Sequence, residues 1–181
     1  MLTYSVLLEK DRERVIEVIN SVAVEGSFLQ TACYTPTLVW KSLLESGADI
    51  EKGLLLIVVC DGERLIGFGR LSPDDLGGRS TGNVGIVLLQ DYRYKRTGTT
   101  LLDFIVNIAP KFGYENLTAD ILFDNLISLR LFLGCGFTRY SSRDLYLEHR
   151  SAVVKEVKVK LFLHEHQGKK NVELSNDKQP Y

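Results

Sequence analysis

The 181-residue chain contains no CxxC pair, no Walker A run and no G-x-G-x-x-G after its first apolar segment. Its three cysteines, Cys33, Cys60 and Cys135, stand alone, which argues against a zinc ribbon and a thioredoxin-type redox site. Without glycine-rich phosphate loops, P-loop and Rossmann-type dinucleotide readings fall away. A basic excess is also lacking. The formal net charge is -1, which speaks against a general nucleic-acid binder. No apolar run is long: Leu54 to Val59 falls far short of a membrane span and reads as a buried strand. The N-terminus, Met1 to Lys10, has neither the basic start nor the apolar core of a secretory signal, and unpaired cysteines fit a reducing compartment. The expectation is a soluble, cytoplasmic protein with no nucleic-acid or membrane partner.

What is present is ordinary for a globular domain: 45% hydrophobic and 25% charged residues, over a length that suits one core. Leu2 to Leu8 reads as an opening strand, and Asp11 as a helix start ahead of Val15, Val18, Ile19 and Val22. Val24 to Tyr34 has no period and reads as a loop. Thr35-Pro36 offers a second helix start, with Trp40, Val39 and Leu43 as core. Two strands, Leu54 to Cys60 and Arg64 to Leu71, flank the hairpin signal Asp61-Gly62. Ser72 to Gly82 reads as loop and Asn83 to Leu89 as strand. Leu101, Ile105, Ile108 and Phe112 mark one face of a helix, and Leu117 to Leu122 a strand. Asp124 or Asn125 caps a short helix ended by Gly134 and Gly136. Phe137 to Tyr140 and Leu145 to Leu147 look like closing strands.

The order β-α-α-β-β-β-α-β-α-β-β implies an α/β fold: a mixed, mostly antiparallel central sheet with helices on both faces. The strands on either side of the long helical crossover should be parallel neighbours. Residues 1–150 form the expected domain. Residues 151–181 form an extension, strand-like to about 163 and then fraying. Its Lys155, Lys158 and Lys160 read as a solvated face, and its strand could join this sheet or a partner's, giving a homodimer. His164 and His166 lack a third ligand, so no metal site is expected.

Chemistry concentrates in the turn from Tyr92 to Thr100. Free amides at a helix start, and the positive end of its dipole, favour an anion there. Arg93, Lys95 and Arg96 add charge, Gly98 permits close approach, and Thr97, Thr99 and Thr100 add hydroxyls. These features suit a pyrophosphate.

The run Tyr92-Arg93-Tyr94-Lys95-Arg96-Thr97-Gly98-Thr99-Thr100-Leu101-Leu102 resembles the Q/R-x-x-G-x-G/A motif of the GNAT N-acetyltransferases, with Arg93 first and Gly98 last. Downstream, the segment from Asn125 to Phe137 is similar to the family's N-x-x-A-x-x-L-Y-x-x-x-G-F. The resemblance extends from about Leu2 to Arg150. It implies an acyl-CoA N-acyltransferase-like fold that moves an acetyl group from acetyl-CoA to a primary amine by direct attack. The amine would belong to a small molecule or a protein. The alternative is a CoA-binding module of the same fold with little catalysis. Acetyl-CoA is then the cosubstrate, held by Leu88, Leu89, Arg93, Tyr94, Lys95, Arg96, Thr97, Gly98, Thr99, Asn125 and Phe132. The backbone of Leu88, with Leu89, would polarise the thioester. Two departures stand out. Arg96 replaces the motif's first glycine. Phe132 replaces a tyrosine that in relatives is thought to protonate the departing thiolate. No carboxylate lies on the strand from Asn83 to Leu89, so Glu25 is one candidate base, its alternative being an exposed loop carboxylate. Asn125 is a candidate water-positioner and equally a helix cap. Phe28, Leu29 and Tyr34 either line the acceptor pocket or only pin the loop.

Overall fold

A computed structural model of the chain describes residues 1–74, 78 and 80–164. Strand β1 (Leu2–Val6) precedes helices α1 (Arg12–Ala23) and α2 (Leu38–Ser46). A short strand β2 (Ala48–Asp49) leads into the antiparallel run β3 (Leu54–Asp61), β4 (Arg64–Pro73) and β5 (Thr81–Leu88). Helix α3 (Thr97–Ile108) crosses over to β6 (Asn116–Leu122). Helix α4 (Leu126–Gly134), β7 (Thr138–Leu147) and β8 (Ala152–Phe162) complete the described chain. None of the described helices is long and apolar enough to cross a membrane.

The eight strands form one sheet in the order β1-β3-β4-β5-β6-β8-β7, with β2 paired to β3. Only β5 and β6 run parallel, as a helical crossover requires. The apolar run in β3 is explained by cover on both faces. Leu55, Ile57 and Val59 pack in the layer that holds Leu101, Leu102 and Ile105 of α3 and Phe132 of α4. Leu54, Leu56 and Val58 pack against Val15, Val18 and Ile19 of α1 and Leu43 of α2. Two-sided burial produces a continuous apolar strand rather than an alternating one.

Several element ends differ from the sequence reading. Helix α2 starts two residues later than Thr35-Pro36 suggests, because the Thr37 side chain accepts the Trp40 amide hydrogen at 3.2 Å. Asp11 stands at the start of α1 without capping it; its carboxylate bonds Arg14 instead, at 3.4 Å. Val39 is 37% exposed rather than core. The loop expected over Ser72 to Gly82 is shorter, since Ser72↔Asn83 and Pro73↔Gly82 still pair. The two closing strands are a single one, β7, with a register shift between Arg139 and Ser141. Its polar middle reads as loop because nearly every β7 residue is exposed; pairing with β8 is what holds it extended.

Strand β8 begins at Ala152 and lies inside the sheet, bonded to β6 on one side and β7 on the other. Val157, Val159 and Leu161 enter the core. Lys158 is not solvated: its ammonium pairs with Asp74 at 3.0 Å and Asp120 at 3.5 Å. The expected fraying after Glu165, and His166, lie outside the described residues.

Gly67 sits where β4 meets the end of β5. A Cβ there would strike the Leu88 side chain and lie 2.5 Å from the Val87 carbonyl oxygen. Gly67→Ala is expected to destabilise the fold by about 1–3 kcal/mol. The readout is a lower urea midpoint at constant m-value. An unchanged midpoint would mean that β5 shifts without cost.

Candidate active site

The site begins where the sheet opens. Strands β5 and β6 pair only through Thr81↔Asn116, Gly82↔Leu117 and Asn83↔Thr118. Beyond that point the two strands have no backbone pairing, and the Asn83 side chain spans to β6, donating to Asp120 Oδ2 at 2.8 Å. The Leu89 amide donates to Ile66 O at 2.9 Å on β4. Alternation along an antiparallel pair therefore turns the backbone groups of Asn83, Gly85 and Val87 toward β4, those of Val84 toward the last pairing with β6, and the amides of Ile86 and Leu88 toward the opening. A cleft of about 340 Å³ fills this opening, lined in part by Phe28, Trp40, Arg70, Val87, Asn125 and Phe132.

The turn after β5 delivers the helix start expected from sequence. Tyr94 and Arg96 have φ of 61° and 62°, and Arg96 stands at the N-cap of α3 without a side-chain cap bond. The first intrahelical bond is from the Thr100 amide to Arg96 O, at 3.0 Å. The amides of Thr97, Gly98 and Thr99 precede it and have no partner within the helix. The Thr97 hydroxyl is buried without a partner among the described residues. Three uncapped amides at the positive end of a helix fit a diphosphate. Tyr94, Lys95, Arg96 and Thr99 are exposed on the same turn, and Lys95 Nζ rests 5.7 Å from the Tyr92 ring centre. Gly98 has a packing reason as well: a Cβ would lie 3.1 Å from Leu131 Cδ2 on α4.

Arg93 turns inward rather than toward the helix amides. Its guanidinium pairs with both Glu25 oxygens at 2.6 Å, donates from Nε to Leu88 O at 2.9 Å, and lies 4.3 Å from the Phe28 ring centre. Glu25 is thereby committed to Arg93 through both oxygens. Asn125 is also committed at both ends. Its Oδ1 accepts the Ser128 amide hydrogen at 3.1 Å, capping α4, and its Nδ2 donates to Phe28 O at 3.4 Å. Leu29 lines the cleft beside Phe28, while Tyr34 packs edge-on to Trp40 at 6.0 Å. The Leu89 amide is used by β4, whereas that of Leu88 faces the opening. Phe132 is buried edge-on to Phe137, 5.0 Å between ring centres.

Sequence reasoning missed a polar cluster on the far side of the opening. Arg70 Nη2 donates to Asn83 Oδ1 at 2.8 Å, and Asn83 passes the chain to Asp120. Lys158 links Asp120 to Asp74, which also accepts from Thr118 Oγ1. Burial pulls the Lys158 ammonium down, but its bonds to Asp74 and Asp120 reverse this and hold it above the ordinary lysine value. Arg143 pairs with the buried Glu156 at 2.5 Å, and Gln30 of the α1–α2 loop bonds the same carboxylate. One signal was available: in Leu117 to Leu122, Thr118 and Asp120 alternate with apolar residues, which marks a polar strand face.

The φ of Arg96 explains the glycine that relatives place there. A left-handed conformation costs an L-residue roughly 1–2 kcal/mol, and glycine returns roughly 0.5–1 of that as chain entropy. Arg96→Gly is therefore expected to stabilise the protein by about 0.5–1 kcal/mol. Urea unfolding would register this as a higher midpoint. A lower one would mean that contacts of the Arg96 side chain outweigh its strain.

Comparison with known proteins bears on this geometry. No match was found among curated proteins. Among solved structures, a GNAT acetyltransferase from Streptococcus pneumoniae superposes with a TM-score of 0.77 at 17% identity, covering 90% of this chain and 99% of that one. The structure of yncA from Salmonella typhimurium, solved with acetyl-CoA, gives 0.76 at 18% identity, covering 90% and 94%. A phosphinothricin acetyltransferase from Sinorhizobium meliloti, in complex with acetyl-CoA, gives 0.73 at 17% identity, covering 89% and 88%. At these identities the likeness establishes the fold. The sequence profile of the acetyltransferase (GNAT) family matches residues 25–137, and the chain belongs to that family.

Proposed function

We propose that this acetyltransferase moves an acetyl group from acetyl-CoA to a primary amine by direct attack. The observation that carries the reading is the uncapped start of α3, where the amides of Thr97, Gly98 and Thr99 have no partner within the helix, beside the edge of β5 that β6 leaves unpaired among the described residues. Acetyl-CoA supplies an activated thioester; everything else is the work of the chain. The α3 amides hold the diphosphate, and Tyr94, Lys95 and Arg96 screen its charge. The Leu88 amide, facing the opening, polarises the thioester carbonyl. The Leu89 amide cannot share this role, because it donates to Ile66 O.

Nucleophilic attack forms a C–N bond, breaks the C–S bond and releases one proton from the amine. We assign the first acceptor of that proton to Asp120, on β6 at the opening, with water in the cleft carrying it onward. Glu25 serves instead as the clamp on Arg93, and Asn125 as the cap that fixes α4 and the Phe28 loop. Phe132 has no proton to give. A thiol titrating at about 8.5 leaves tolerably without an acid, so the reaction survives the missing tyrosine.

Titrating acetyl-CoA by calorimetry should show binding, and an assay of free thiol with an amine panel should show turnover. Asp120→Asn is expected to lower kcat by about 100-fold with acetyl-CoA affinity unchanged. Wild-type turnover in that variant would remove Asp120 from the mechanism. Acetyl-CoA binding without thiol release on any amine would favour a CoA-binding module. The attacking amine must be neutral, and a free amine titrates above the neutral range, at about 8 for an α-amino group and about 10.4 for a lysine-like one. The rate should therefore climb with pH through the neutral range.

A further inference from the structure

We infer that the amine acceptor is a free α-amino acid, its carboxylate held by Arg70 and its ammonium by Asp120. This rests on the acetyltransferase reading and names the substrate class of the same cleft.

The argument starts from charge pairing at the inner end of the opening. Each carboxylate of the cluster has a cation in direct contact. Glu156 has Arg143, while Asp74 and Asp120 share Lys158. Arg70 differs. Among the described residues it makes no ion pair; its one hydrogen bond goes to the neutral Asn83 side chain, and its guanidinium lies 5.8 Å from the Trp40 ring centre. The guanidinium lines the cleft, and none of its nitrogens is both sealed from it and unbonded. Burial lowers the Arg70 pKa, opposed by the charge of Asp120. A partly buried guanidinium with unused donors is a carboxylate receptor, since it can offer two parallel N–H groups to one anion.

Charge balance narrows the ligand. Arg70, Arg143, Lys158 and Lys160 stand against Asp74, Asp120 and Glu156, which leaves one positive charge. Lys160 rests on the Tyr140 and Phe162 rings, so Arg70 is the cation that meets the cleft without a carboxylate partner among the described residues. A polyamine would add to the positive excess, whereas a zwitterion brings a carboxylate for Arg70 and an ammonium for Asp120. The spacing agrees. Arg70 and Asp120 are separated by one carboxamide, that of Asn83, bonded at 2.8 Å on each side. An α-amino acid carries its carboxylate and ammonium on the same scale. Phe28, Leu29, Trp40 and Phe68 line the adjoining wall, which suits an apolar or aromatic side chain. A peptide N-terminus has the ammonium but lacks the adjacent carboxylate, so it forfeits the Arg70 contact.

The test compares matched acceptors with full-length protein and saturating acetyl-CoA: L-phenylalanine, phenylalanine amide and phenethylamine, read by thiol release. The expected kcat/KM for phenylalanine exceeds that of the other two by 100-fold or more. Arg70→Met should collapse that ratio toward one, mainly through KM, and Arg70→Lys should restore part of it. Circular dichroism checks folding; should Arg70→Met not fold, Arg70→Lys and Arg70→Gln carry the comparison. Equilibrium titration of the same three compounds into the protein loaded with CoA gives a readout independent of turnover. Phenylalanine binding that weakens at least tenfold in the Arg70 variant supports the carboxylate site even if no amine is acetylated, in which case only the catalytic reading fails. Equal turnover or binding of the three compounds, or equal losses for all three in the variant, overturns the inference.

Discussion

Everything at this site depends on a backbone pairing that stops. Strands β5 and β6 stay together through Asn83 and Thr118 and no further. Parallel strands normally satisfy one another's N–H and C=O groups along their length. Here the amides of Ile86 and Leu88 face an opening instead. An unpaired row of amides inside a domain is costly unless something takes its place. The polar bridge from Asn83 to Asp120 fixes where the pairing ends, and an extended, amide-bearing ligand is the kind of molecule that can complete the rest.

The α1–α2 loop closes one wall of that opening, and its irregular sequence hides how firmly it is tied. Glu25 is clamped by Arg93, the Phe28 carbonyl by Asn125, and Gln30 by Glu156. These ties reach the end of β5, the cap of α4 and the middle of β8. The residues proposed from sequence as catalytic, Glu25 and Asn125, are thus the ones that fasten the wall. On the proposed mechanism the chemistry falls to the Leu88 amide and to Asp120 on β6.

Arg96 shows how a departure from a motif is read physically. The motif's glycine is a demand for positive φ at the N-cap of α3, and this chain meets the demand with an arginine at 62°. The proposed binding groups are backbone amides, so the turn keeps its shape while absorbing local strain. Phe132 is a different case. The family motif carries a tyrosine hydroxyl there, and in this chain a packed phenyl ring beside Phe137 stands in its place.

The residues by themselves determined the element order up to α4 apart from the short β2, the Asp61-Gly62 hairpin, the Asn125 cap and the turn that starts α3. Each of these is a local matter of periodicity, capping or backbone conformation, and such signals lie within a few residues of one another. The placement of β8 between β6 and β7 was not legible, because strand order is set by which apolar faces find cover across the whole sheet. The same holds for the cluster of Arg70, Asn83, Asp120 and Lys158. Its members come from β4, β5, β6 and β8, and nothing in their sequence spacing ties them together. Only tertiary structure could decide that Lys158 is a half-buried ion-pair partner and that Arg70 has no ion pair among the described residues, since pairing depends on what stands across the sheet.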